Sequence, residues 1–130
     1  MVSVDRDTLH ACLREMAPTH LKPAMRKDWT TEHPTRNFCY VVTEWLCKIL
    51  WPNDLTGWSV EVPGDTAKHY FATIGETVSS PRIDLTAEQF AEWDVVPYSA
   101  AKRARFMPPS PSKRARVLAE LYDSKRPPTS

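Results

Sequence analysis

The chain predicts an α+β fold: N-terminal helices packed on a small antiparallel β-sheet, with a C-terminal helix. Three observations carry that expectation. Apolar residues recur at helical spacing in the first 50 residues, with Leu9, Cys12, Leu13 and Met16 in one run and Phe38, Val41, Val42, Trp45 and Ile49 in another. Between residues 58 and 85 the pattern changes to strand alternation broken by turn signals. After Met107-Pro108-Pro109-Ser110-Pro111, helical spacing returns at Val117, Leu118 and Leu121.

The first helix is expected from Asp5 to Met16, capped by Asp7 or Thr8, because a short polar side chain satisfies the free N–H groups of a first turn. Pro18 and Pro23 then predict a loop from Ala17 to Pro34. The second helix carries the apolar stripe from Phe38 to Ile49 and ends at Pro52. Trp58, Val60 and Val62 alternate with Ser59 and Glu61, a half-buried strand. Pro63-Gly64-Asp65 signals a turn, and His69 to Ile74 reads as a second strand with His69, Phe71 and Thr73 on one face. Gly75-Glu76 and Ser79-Ser80-Pro81 return the chain to a third strand around Arg82 to Leu85, which makes a three-stranded meander. Thr86-Ala87-Glu88-Gln89 has the form of a capping box, with a short helix to about Trp93. Ser112 is placed to cap the last helix. One domain is expected over residues 1–123, followed by a disordered polar tail from Ser124 to Ser130.

Composition narrows the function classes. At 130 residues, a single domain of this size buries roughly two-thirds of its unfolded surface. Hydrophobic residues make up 42% and charged residues 25%, ordinary values for a globular chain. With a mean hydropathy of -0.46 and no apolar run near ~18 residues, no membrane span is expected. The segment Met1 to Asp7 has no basic stretch leading into an apolar one, so no signal peptide is expected. Three cysteines cannot all pair within one chain, which favours a reduced, cytoplasmic setting. The net charge is +1, yet Lys102, Arg103, Arg105, Lys113, Arg114 and Arg116 form a basic segment with no acidic residue among them. Such a segment suits a solvated helix face or an acidic partner.

Chemistry concentrates on Cys39, His69 and Asp84. Cys39 opens a helix, where unpaired backbone N–H groups favour a thiolate. Cys12 belongs to an apolar stripe and reads as a buried structural thiol. Cys47 shares a face with Tyr40, Thr43 and Glu44, late in its helix where the dipole opposes a thiolate. His69 begins a strand just after a turn, whereas His10 is placed on an exposed helix face and His20 and His33 lie beside prolines. Asp84, between Ile83 and Leu85, interrupts a strand pattern and would be costly to bury without a partner. Each residue alone has a plain structural role available: core thiol, surface histidine, helix brace. Together, in this order, they have the residue types of a thiol nucleophile, its base and the acid that orients the base. No C-x-x-C or H-x-x-x-H pair is present, so no metal is expected, and three glycines form no phosphate loop. No cofactor is expected.

These residues carry a resemblance. Asn37-Phe38-Cys39-Tyr40-Val41-Val42, His69-Tyr70-Phe71, Ile83-Asp84-Leu85-Thr86-Ala87-Glu88-Gln89-Phe90 and the closing Arg103-Ala104-Arg105-Phe106-Met107 with Lys113-Arg114-Ala115-Arg116-Val117-Leu118 resemble the YunG family of small bacterial and phage-type proteins, over most of Trp29 to Leu121. More remotely, Cys, His and Asp on helix, strand and strand are similar to the papain-like superfamily with its transglutaminase and NlpC-type branches. That likeness implies a papain-like fold with Cys39 as nucleophile, His69 as general base and Asp84 as orienting acid. The glycine usual before the cysteine is replaced here by Asn37-Phe38, where Phe38 can narrow access to the thiol. The expected activity is a cysteine hydrolase or acyl-transferase acting on a peptide, isopeptide or related amide. An oxyanion would be met by the Cys39 backbone N–H and a second donor from Asn37 or Trp29. The alternative is a catalytically silent module that binds a protein partner, or, through the 102–116 segment, nucleic acid.

Overall fold

The computed structural model describes residues 4–21, 29, 38–62, 68–86, 96–104 and 111–126. They form an α+β fold in which helices pack on a small four-stranded antiparallel sheet and a further helix closes the chain. In chain order the elements are α1 (Arg6–His20), α2 (Cys39–Trp45) with a π-helical turn at Leu46–Leu50, β1 (Leu55–Glu61), β2 (Lys68–Ile74), β3 (Arg82–Ile83), a 3-10 turn at Tyr98–Ala100, β4 (Lys102–Arg103) and α3 (Lys113–Lys125).

α1 begins one residue later than expected and ends four later. Its cap is Asp5, whose carboxylate accepts the Thr8 N–H at 2.9 Å. Pro18 does not end it. A proline in a last turn gives up one backbone hydrogen bond, and here the turn is held by Ala17 and Leu21, both buried beside Met16. His10, expected to be exposed, is half-buried.

α2 differs from the expected one-sided stripe because it is buried almost all round. Cys39, Val41, Val42, Thr43, Glu44 and Trp45 are all buried, and Tyr40 is half-buried. Three neighbours account for this. α1 and α3 enclose Val41, Val42 and Trp45 in one cluster with Leu9, Leu13, Met16, Phe38, Ala115 and Leu118, each such side chain contributing about 1.5–3 kcal/mol on burial. The sheet covers another flank, where Tyr40 meets Tyr70 edge to face at 4.9 Å. Glu44, which would be costly to bury alone, accepts 3.0 Å and 2.6 Å hydrogen bonds from the N–H and hydroxyl of Ser112, the residue that caps α3.

The sheet order is β3-β2-β1-β4. β1 pairs with β2 so that Trp58 faces Phe71 and Val60 faces His69 across the strands. The expected meander of three strands is corrected to four. Lys102 and Arg103, two charged residues with no strand signature, form the edge strand β4 beside Ser59 and Trp58. The basic segment is therefore no single helix face: its start is an edge strand and its end the first turns of α3, with 105–110 outside the described residues. One sheet face carries Trp58, Val60 and Phe71, packed with Val78, Val96, Tyr98 and Ala101. Leu55 and Ile83 join the helical cluster on the other.

The β2–β3 turn needs Gly75. Its φ is +127°, and a Cβ there would lie 2.7 Å from the Ser80 hydroxyl oxygen. The turns expected at Pro63-Gly64-Asp65 and the helix expected after Thr86 lie at 63–67 and 87–95, outside the described residues. α3 continues through Ser124 and Lys125, so the helix takes in the first two residues of the expected tail. Its buried positions are Ala115, Leu118 and Tyr122, with Val117 and Leu121 half-buried.

Candidate active site

Two strands and one helix start bring Cys39, His69 and Asp84 together. Cys39 is the first residue of α2, as its spacing predicts, and it is 9% exposed. No side chain caps α2 at Phe38. The thiol donates to the Lys68 carbonyl at 3.7 Å, which ties the helix start to the first residue of β2. The next residue is His69.

His69 is 1% exposed. Its Nε2 lies 2.6 Å from Asp84 Oδ2, and the Cys39 thiol is close enough to the ring to act on its titration. Burial alone would push the imidazole down, since the interior disfavours a charge. The hydrogen bonds and negative charge offered by Asp84 and Cys39 outweigh burial and push it up from 6.5 to about 9. The ring also stacks 6.3 Å from Phe71, its neighbour on the same strand face.

Asp84 sits just past β3, where the strand pattern breaks. Its two oxygens have separate duties. Oδ2 receives His69 and the Tyr98 hydroxyl, the latter at 2.7 Å. Oδ1 faces the Thr86 N–H at 3.4 Å and its hydroxyl at 3.5 Å. Asp84 thus braces the turn that follows it and orients the imidazole at the same time.

Tyr98 was not legible as a site residue. It follows Pro97 and belongs to a three-residue 3-10 turn. Its ring is held edge to face by Phe71 at 4.9 Å, and the Arg82 guanidinium lies 3.6 Å from its centroid. Burial and the hydrogen bond to Asp84 both push its hydroxyl up, so it remains a donor. Tyr98→Phe leaves the packing and removes that donor. A loss of about 1 kcal/mol in stability is expected, along with an upward shift of the His69 titration, because the imidazole then has Oδ2 to itself. Chemical denaturation and the His69 NMR titration measure the two effects.

Of the two residues expected to help meet an oxyanion, Trp29 is half-buried against the helical cluster, and Asn37 lies outside the described residues. The competing thiols have different surroundings. Burial pushes Cys12 up to about 11 and Cys47 up to about 12, and all three cysteines are free. Among the described residues no group of three or more His, Cys, Asp or Glu side chains is arranged to hold a metal ion, and no helix is long and apolar enough to cross a membrane.

The raised imidazole also couples the site to stability. A group whose folded pKa lies above its unfolded value contributes stability that is complete below the unfolded value and is lost as pH rises through the folded one. For His69 that window runs from 6.5 to about 9. Resistance to urea is therefore expected to fall across it, by at most a few kcal/mol at ~1.4 kcal/mol per unit. In His69→Gln the slope over this window should flatten.

No family model, curated protein or solved structure matches the chain.

Proposed function

We propose that the protein is a cysteine hydrolase or acyl-transferase acting on a peptide, isopeptide or related amide, with a papain-like arrangement of its triad and a YunG-like sequence. The observation that supports this most is the linear order of contacts: Cys39 within reach of His69, and His69 2.6 Å from Asp84. A thiol and an imidazole so placed can share their proton as thiolate and imidazolium. The thiolate sulfur of Cys39 attacks the carbonyl carbon and the C=O electron pair moves onto oxygen. As the tetrahedral species collapses, the C–N bond breaks and the imidazolium of His69 gives its proton to the leaving amine. Neutral His69 then takes a proton from water or from an acceptor amine as that group attacks the thioester, and collapse of the second tetrahedral species breaks the C–S bond, releasing the acyl product and returning Cys39 as thiolate beside protonated His69. Asp84 keeps the ring in one orientation and offsets its charge, and Tyr98 and Thr86 hold Asp84.

Thiol labelling tests this reading. Iodoacetamide at neutral pH should alkylate Cys39 in the folded protein, while Cys12 and Cys47 react only after unfolding, as resolved by peptide mass spectrometry. Cys39→Ala should abolish any amide or ester hydrolysis the protein performs. A Cys39 as inert as Cys47 would remove the proposal.

A second reading rests on one observation, the 1% exposure of His69. It is a papain-like module that keeps the triad's shape but acts by binding a protein partner. Inertness of Cys39, together with a partner interaction unchanged in the Cys39→Ala, His69→Ala variant, would favour it.

A further inference from the structure

We infer that the protein binds a small amphipathic cation, an ammonium group on a compact apolar body, in a cavity at the far end of β2 from His69. The inference does not depend on the hydrolase reading. The cavity measures about 470 Å3, inside the range of roughly 300–1,000 Å3 in which small organic ligands are held. Strand register places it. Leu55 and Ile74 are cross-strand partners at the start of β1 and the end of β2, and Ile83 on β3 pairs with Ala72, two positions before Ile74. Cross-strand partners and residues two apart share a face. Leu55, Ile74 and Ile83 therefore lie on one side of the sheet, the side on which Leu55 and Ile83 join the helical cluster. His69 is five positions from Ile74 along β2, about 17 Å of strand, and its odd spacing sends it to the opposite face.

Two local irregularities border this cavity. On one side the π-helical turn closes with the Trp51 N–H on the Leu46 carbonyl at 3.0 Å, and the Asp54 N–H then donates to the Trp51 carbonyl at 3.3 Å. That turn brings Trp51 and Asp54 to the cavity together. π-helical turns are rare and recur at functional sites. On the other side is Gly75, whose φ of +127° swings the chain away from the end of β2. The lining chemistry is two-sided. Trp51, Leu55, Ile74 and Ile83 are only half-buried, so they leave apolar surface open to the cavity. Asn53 and Asp54 supply the polar edge, and both are exposed. Asp54 is the charged residue of the lining, and it joins no ion pair among the described residues. An apolar body covers the walls and releases their water, while an ammonium beside Asp54 completes a charge pair. A carboxylate in its place would meet a like charge, and a wholly apolar ligand would draw water from Asp54 without giving it a partner.

Three probes that differ in one group test this site. Tryptamine, tryptophol and indole-3-propionate share a ring system and end a short chain in an ammonium, a hydroxyl or a carboxylate. Titration of the nitrogen-15-labelled full chain, followed by its NMR shifts, gives the three dissociation constants. Tryptamine should bind about threefold or more tighter than tryptophol, and indole-3-propionate should bind most weakly. The largest shifts should fall on the Gly75 N–H and the Trp51 Nε1–H. In Asp54→Asn the preference for tryptamine should shrink towards one while tryptophol binds as before, and salt should compress the preference of the native sequence. Asp54 is exposed, so the spectrum of the variant away from the cavity should match the native one. Equal affinities for the three probes, or a tryptamine preference that survives Asp54→Asn, would overturn the ligand class. Shifts centred away from Trp51 and Gly75, or no binding of any probe up to its solubility limit, would overturn the site.

Discussion

Under the proposed hydrolase reading, Asp84→Asn is expected to reduce turnover at Cys39 by a factor of about 10²–10⁴, the range lost when a base loses its orienting carboxylate. The geometry explains why a nearly isosteric change should cost so much. Oδ2 of Asp84 receives both His69 at 2.6 Å and the Tyr98 hydroxyl at 2.7 Å. An asparagine can put its oxygen in the Oδ2 place and its NH2 against the Thr86 N–H, or put its NH2 in the Oδ2 place. The first choice sets donor against donor at Thr86. The second presents a donor to Nε2, favours the tautomer with its proton on Nδ1, and loses the Tyr98 bond. Either way the imidazolium loses the Asp84 charge, so burial weighs more heavily against what Cys39 still offers and His69 moves down from its native value. The pH profile of Cys39 alkylation should move upward, and the stability slope above pH 6.5 should shrink. A turnover within about threefold of the native rate, with an unchanged alkylation profile, would show that Asp84 only braces the following turn through Thr86.

The triad was legible because its signals are local. Strand parity assigns His69, Phe71 and Thr73 to one face without knowledge of the partner strand, and the Ile83-Asp84-Leu85 break marks where a carboxylate leaves the ladder. Cys39 is separated from Cys12 and Cys47 by its position in its own helix. Features that depend on distant partners stayed hidden. Tyr98 reaches Asp84 across 14 residues, from a three-residue turn with no pattern of its own. β4 is two charged residues whose strand character comes wholly from β1. Pro18 reads as a stop, but burial of Ala17 and Leu21 carries α1 past it. Glu44 shares the polar-looking face of Thr43 and Cys47, and it is buried only because Ser112, 68 residues later, begins a helix against it. In each case tertiary packing decided against a correct local preference.

Glu44→Ala is expected to destabilise the fold by about 2–4 kcal/mol, the cost of breaking a buried, charge-assisted network. Three linked hydrogen bonds meet at Ser112, and Glu44 accepts two of them. The Ala115 N–H donates to Ser112 Oγ at 3.3 Å, the Ser112 hydroxyl to one Glu44 oxygen at 2.6 Å, and the Ser112 N–H to the other at 3.0 Å. Alanine would strand the Ser112 donors inside the protein. It would also leave the α3 start with Lys113, Arg114 and Arg116, cations where the helix dipole favours an anion. Arg114 is partly served by the His20 carbonyl at 3.2 Å, but the first turn of α3 holds no acidic residue, so Glu44 supplies the negative charge from α2. Glu44→Gln keeps one acceptor and should lose less than half as much. Urea denaturation with an unchanged m value measures both. Because Glu44 and Cys39 share α2 but face different partners, Cys39 alkylation below the new midpoint should stay near its native rate. Loss of reactivity in the folded Glu44→Ala protein would mean that the α3 anchor also sets the position of the thiol.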